Sequence, residues 1–440
     1  MHSIRHSWRG LVFCAVLVAL LTMVGAGVRT SFAQTYAAPP NAPPPNVFPP
    51  NVSPPTVPPP NVFRPEIAAP LQAAEELIRA GKFDEALARI RQADAVADRT
   101  PNENFAIDRM RGIAASGAGD IPTATRSFEA VIAAGRLEPA ERARLMQLLA
   151  QLYFQGKDYR KAATWAARIL QDDGTNADVR WLLIRSQYLA DDCASAAREL
   201  RAVVDANATT APPLDRLQLL ASCYIKLDDN AGYVFTLEKL LTYYPKKEYW
   251  ADAIRRVYAR TGFSDRLALD VLRLRQATDT LSGDAEYALM TQLALAAGLP
   301  AEAKRVSDAG FAAGALGTGA DTAQQRRLRD TAVKQMAEDE QQLPQSAKAA
   351  GAAADGTALV NVGFTFVSTG QFDKGIALME QGMQKGGLRR PDDAKLHLAI
   401  AYLAAGQKAR AILAFKDVGG TDGTADLARL WSIHAQRPSS

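Results

Sequence analysis

The chain has 440 residues, of which 48% are hydrophobic and 22% charged, with a formal net charge of +4. That length exceeds what one ordinary hydrophobic core spans, so several domains or a single repeat array are expected. The near balance of acids and bases excludes the strongly basic stripe that a nucleic acid partner requires.

Residues 1–33 read as an export leader. Arg5 and Arg9 form a positive start, Leu11 to Val24 an apolar stretch, and Ser31-Phe32-Ala33 a small-x-small cleavage signal. Cleavage is expected after Ala33; the alternative is an uncleaved membrane anchor. Cys14 follows Phe13 inside the apolar stretch, where a lipoprotein signal needs a small residue, so lipidation is not expected. Beyond the leader the charges nearly cancel, because Arg5, Arg9 and Arg29 leave with it.

Residues 34–66 form a proline-rich linker. Thirteen prolines fall within 39–65, in a five-residue beat of Pro-Pro-Asn-Val and close variants. Proline fixes φ and lacks an amide donor, so an extended polyproline II spacer is expected, dispensable for folding of the rest of the chain.

From residue 67 onward Ala and Leu dominate with helical periodicity, and the sequence repeats itself. Gly81-Lys82-Phe83 leads to Ala86 and Ile90, and Gly119-Asp120-Ile121 to Ala124 and Phe128. Gly298-Leu299-Pro300 leads to Ala303, and Gly370-Gln371-Phe372 to Gly375 and Met379. A turn glycine frees the backbone at the end of one helix. A small residue then lets two helices cross closely, and a bulky one a turn later fills the space beneath. This pattern resembles the tetratricopeptide repeat. The small position recurs at Ala86, Ala124, Ala162, Ala196, Tyr233, Ala268, Ala303, Asp339, Gly375 and Ala411, about 36 residues apart. The expected fold is all-α: a right-handed tetratricopeptide-like α-solenoid of nine to ten helix-turn-helix units. The units divide into N-terminal repeats over 67–280 and C-terminal repeats over 281–440.

Two departures stand out. Around Asp339 the spacing survives without the residues, and Pro344 falls where a second helix would run. A long polar helix over 321–342, then a break, is expected there. At Tyr233 a large residue occupies the small position. The apolar run Leu427 to Ile433 reads as a cap on the last repeat.

The sequence contains no His-Glu-x-x-His, Cys-x-x-Cys, phosphate-binding loop, Gly-x-Ser-x-Gly elbow or dinucleotide fingerprint. His397, in the middle of a helix, reads as a core-edge or groove residue and not as a ligand. No enzyme, cofactor or metal site is therefore expected, and a binding surface is what remains. In such repeats the first helices line a concave groove. Its positions in the third to fifth units are Gln147, Gln151 and Phe154, then Trp181, Arg185 and Tyr188, then Gln218, Ser222 and Ile225. Trp181, Arg185 and Tyr188 share one helix face, and these residue types dominate binding hot spots. The alternative is that Trp181 and Tyr188 pack between neighbouring helices. A second apolar stretch, Val360, Phe364, Leu396 and Ile400, is open to a cover such as the proline-rich arm or the polar helix. The aromatic run Tyr243 to Trp250 reads first as packing at a repeat joint, and second as a docking edge.

Without Cys14, two cysteines remain, Cys193 and Cys223. In an oxidising compartment an even pair reads first as a candidate disulfide, and otherwise as buried free thiols. The register puts both at the same end of adjacent layers.

From Tyr243 to Trp431 the chain resembles a family of exported bacterial tetratricopeptide proteins without an assigned activity. Tyr-Pro-Lys-Lys-Glu-Tyr-Trp at 244–250, Gly-Leu-Pro-Ala-Glu-Ala at 298–303 and Leu-Ala-Arg-Leu-Trp at 427–431 carry that resemblance. It implies a periplasmic or cell-envelope scaffold for a protein or peptide partner, with TonB-type energy transduction as one setting. The alternative reading is an accessory protein or enzyme associated with cell wall or polysaccharide.

Overall fold

The computed structural model describes residues 63–206 and 210–437. The leader and residues 34–62 of the linker lie outside the described residues. Among the described residues there are twenty α-helices and no strands. Eighteen of the helices form nine pairs.

The pairs are α1 (Pro65–Arg79) with α2 (Phe83–Asp94), α3 (Pro101–Ala118) with α4 (Ile121–Ala133), and α5 (Pro139–Gln155) with α6 (Tyr159–Asp172). Next come α7 (Ala177–Leu189) with α8 (Cys193–Ala206), α9 (Leu214–Lys226) with α10 (Asn230–Tyr243), and α11 (Lys247–Tyr258) with α12 (Ala268–Ala277). The last are α13 (Gly283–Ala296) with α14 (Pro300–Ala312), α16 (Thr357–Ser368) with α17 (Phe372–Lys385), and α18 (Pro391–Ala404) with α19 (Lys408–Lys416). A single helix, α15 (Thr322–Ala352), interrupts the pairs, and α20 (Thr424–Gln436) ends them.

The recurring small residue explains the pairing. Ala86, Ala124, Ala162, Ala196, Ala303 and Ala411 are fully buried, each three residues into a second helix. In the α16–α17 pair both crossing residues are glycines. A methyl group on Gly363 would lie 2.7 Å from the Gly375 carbonyl oxygen, and one on Gly375 would lie 2.6 Å from that of Gly363. Only glycine permits so close a crossing. At Tyr233 the large ring is accommodated by a neighbour: Gly232 sits beneath the Tyr224 ring, and the Tyr233 hydroxyl donates to Asp252 at 2.7 Å.

Two compact units divide the chain at 165/166, inside α6. In the first unit, Ile67, Leu71, Ala74, Ile90, Ile107 and Met110 form a core of their own. In the second, one continuous core runs from Ile184 to Ala435, and it contains the expected boundary at 280/281.

Two expectations need correction. The fold begins before residue 67: Phe63 packs on the first core, and α1 starts at Pro65. The Arg64 guanidinium also grips Glu103 at 2.9 and 3.0 Å. Residues 63–66 therefore belong to the first repeat and not to the linker. The second correction concerns α15, which runs unbroken through Pro344 for 31 residues. Leu343 and Ala350, two turns apart, are buried on either side of the proline, and the alanines beyond it favour helix. Proline denies one hydrogen bond to Glu340, whose residue is solvent-exposed.

Candidate functional site

The candidate groove residues sit on the first helices of three pairs. In the first unit, α5 carries Gln147 half-buried, Gln151 exposed and Phe154 half-buried. The Phe154 ring meets Tyr159 edge to face at 5.4 Å. In the second unit, α7 and α9 lie side by side and bring the other six residues together. Tyr188 and Ser222 share a hydrogen bond of 2.8 Å between their hydroxyls. Trp181 packs on the core, with the Arg216 guanidinium 5.2 Å from its ring centre. Arg185 and Gln218 are half-buried, and Ile225 is 46% exposed.

Trp181 and Tyr188 therefore serve the joint between the two helices while keeping part of each ring open. Lys226 lies 4.7 Å over the Tyr188 ring and pairs with Asp191 at 2.9 Å. Leu189 and Leu227, at the same helix ends as Tyr188 and Ile225, are 44% and 43% exposed. The face thus combines aromatic edges, amides and apolar tips, which suits a peptide of mixed character more than a highly charged ligand.

Sequence reasoning missed a pocket of about 760 Å³ in the first unit, lined by Ile121, Pro122, Thr125, Arg126, Tyr153 and Lys161 among others. The Lys161 ammonium lies 3.3 Å from the Tyr153 hydroxyl. No motif marks it, because its lining comes from three helices, α4, α5 and α6, and the turns beside them.

Among the described residues, the second apolar stretch is covered. Val360 and Leu396 are buried, and Phe364 stacks on His397 at 4.8 Å. Helix α12 supplies the cover. Arg273 stands 4.9 Å from the Phe364 ring centre, and Asp270 lies 2.9 Å from His397 Nε2. Arg273 also binds Glu302 of α14 through two bonds of 2.7 and 2.6 Å and donates to Asp270 at 2.7 Å. Burial acts to raise the Asp270 carboxyl, but His397 and Arg273 outweigh it and hold the group below its ordinary range. His397, expected at a core edge, is one member of a four-residue polar joint.

The same joint continues through the end of the chain. Arg266 binds Asp393 at 2.6 Å and Asp422 at 2.7 Å, Arg260 binds Asp426 at 2.9 Å, and Arg429 binds Glu238 at 3.1 Å. Trp250 is 1% exposed and meets His434 edge to face at 6.1 Å. Helix α20 therefore caps the last pair and also docks on α10, α11 and α12. Of the aromatic run, Trp250 packs inside this joint, while the Tyr244 hydroxyl donates to the Pro212 carbonyl at 2.9 Å.

A sequence profile of the tetratricopeptide repeat matches residues 217–247, which span α9, α10 and the start of α11. No curated protein matches the chain. Among solved structures, YrrB, described as a tetratricopeptide protein with an unusual peptide-binding site, is 14% identical with a TM-score of 0.29. That match covers 41% of this chain and 87% of YrrB. A tetratricopeptide repeat protein from Parabacteroides merdae is 13% identical over 74% of this chain and 98% of its own, with a TM-score of 0.26. Yeast Tom70 is 13% identical over 84% and 95%, with a TM-score of 0.20. The profile match falls on the α9–α10 pair, so residues 217–247 carry a tetratricopeptide repeat, and the remaining pairs repeat its helix-turn-helix plan.

Proposed function

We propose that the protein is a non-catalytic scaffold of the bacterial cell envelope that holds a peptide or protein segment along the α7–α9 face. The observation that carries this reading is the partly open row of Trp181, Arg185, Tyr188, Gln218, Ser222 and Ile225, braced by the Tyr188–Ser222 hydrogen bond. Trp, Tyr and Arg anchors beside exposed apolar tips are the usual make-up of a binding hot spot. The leader sequence supports export, and the proline-rich linker supports a role at a distance from a membrane or wall. The resemblance of residues 243–431 to exported envelope proteins makes a TonB-type system the first partner to test.

A photo-crosslinking residue placed at Gln218 in the full chain tests the face directly, with the exposed Arg198 of α8 as control. Irradiation of cells should give a discrete adduct from position 218 and none from 198. Equal adducts from both positions, or none from 218, overturn the assignment of the face. Retention of the protein in the cytoplasmic fraction overturns the envelope role.

A further inference from the structure

We propose that Cys193 and Cys223 are joined in a structural disulfide when the chain folds in an oxidising compartment. Both stand here as free, buried thiols, 4% and 0% exposed, so the expected bond is not formed in this structure. The surroundings nonetheless hold together the two segments that carry them.

Cys193 opens α8, and Cys223 lies in the last turn of α9. Two polar ties pin those same segments together. Asp191, two residues before Cys193, binds Lys226, three residues after Cys223, at 2.9 Å. Tyr188, at the end of α7, bonds Ser222, the residue before Cys223, at 2.8 Å. Burial first, and then the adjacent Cys193, pushes the Cys223 thiol up, and the two side chains are hydrogen-bonding neighbours. Cys14 is the one other cysteine of the chain, and it belongs to the leader, so no competing partner exists in the repeats.

The alternative is that the two act as small apolar side chains in a core, a common role for buried cysteine. Oxidation distinguishes the two. Both S–H bonds break and one S–S bond forms, while two electrons and two protons pass to a disulfide oxidant such as glutathione disulfide, which leaves as two thiols. Because Cys223 is inaccessible in the fold, the exchange occurs while the chain folds. The bond would staple the fourth pair to the fifth by closing the loop from 193 to 223.

The full chain should be refolded from denaturant in a mixture of reduced and oxidised glutathione, then alkylated under denaturing conditions and mapped by mass spectrometry. The expected result is a linked 193–223 peptide in most molecules, and a melting temperature about 5 °C above that in reductant. That difference should vanish in Cys193→Ala. Recovery of both cysteines as alkylated thiols, or a bond between separate chains, overturns the proposal without recourse to any variant.

Discussion

Residues 63–165 and 166–437 are built from the same helix pairs but are held differently. In the first unit the polar ties join neighbouring helices: Arg64 reaches Glu103, 39 residues away, and Arg109 reaches Glu141. In the second, Asp270 and His397 are 127 residues apart, and Glu238 and Arg429 are 191 apart. An ordinary repeat array has only nearest-neighbour interfaces. The second unit adds a joint that binds its last helices to its middle ones. The faces of α16 and α18 are consumed in that joint, whereas α7 and α9 keep Tyr188 and Ile225 partly open.

The comparison breaks most readily by removing the last helix. A chain ending at Gly420 should lose protection from hydrogen exchange across residues 247–277 by roughly a thousandfold, since Leu427, Leu430 and Trp431 leave the core. Residues 65–130 should exchange as before. Equal loss in both regions would mean that the joint is not confined to the second unit.

Replacing the shared cation comes next. Arg273→Met leaves Glu302 buried without its counter-charge and Asp270 with His397 alone, and should cost about 3–5 kcal/mol in denaturant unfolding. A cost below about 1 kcal/mol would show that water reaches the two carboxylates. For the first unit, a chain beginning at Ala69 should be less stable by about 2–4 kcal/mol than one beginning at Phe63, because fully buried Ile67 and the Arg64 contact are both lost. Arg64, with the Thr100 backbone amide, holds the Glu103 carboxyl down to about 2, so its counter-charge is present at any ordinary pH. Identical melting of the two chains would return residues 63–68 to the linker.

The smallest effect is a pH slope. Burial, with Arg437 and Lys408 nearby, holds His434 below its ordinary value of 6.5, so the folded chain prefers the neutral ring. As pH falls below about 6.5 the unfolded chain takes up the proton first, and stability drops. His434→Phe should flatten the urea midpoint between pH 7 and pH 5 relative to the parent. An unchanged slope would place the titration elsewhere.

The repeat was legible because its cause is local. A turn residue, a small residue three positions into a helix and a bulky one a turn later are all visible within a dozen positions. Ala86, Ala124 and Ala303 are as buried as that logic requires. Where the left-handed turn position is not glycine, Lys157, Asp191 and Asp228 adopt the same backbone, so the plan survives a change of residue. The joint was not legible. Arg266, Asp270 and His397 each look like ordinary helix-surface residues, and no period links positions more than a hundred residues apart. Helix α15 departs from expectation because proline usually ends a helix, and only buried Leu343 and Ala350 reveal why this one continues. The shared helix face of Trp181, Arg185 and Tyr188 was legible in their spacing, but the packing of Trp181 and Tyr188 at the joint depends on which residues the next helix presents.

The joint also sets an order of events at the ribosome. Helices α11 and α12 are made well before the segments that cover them, because His397 follows Asp270 by 127 residues. At about 5–20 residues per second, that interval lasts on the order of ten seconds. During it Trp250, Arg273 and the apolar side of α12 have neighbours on one flank only. A nascent chain paused before residue 390 would present this surface to whatever is nearby, whereas the first unit would already be closed upon itself.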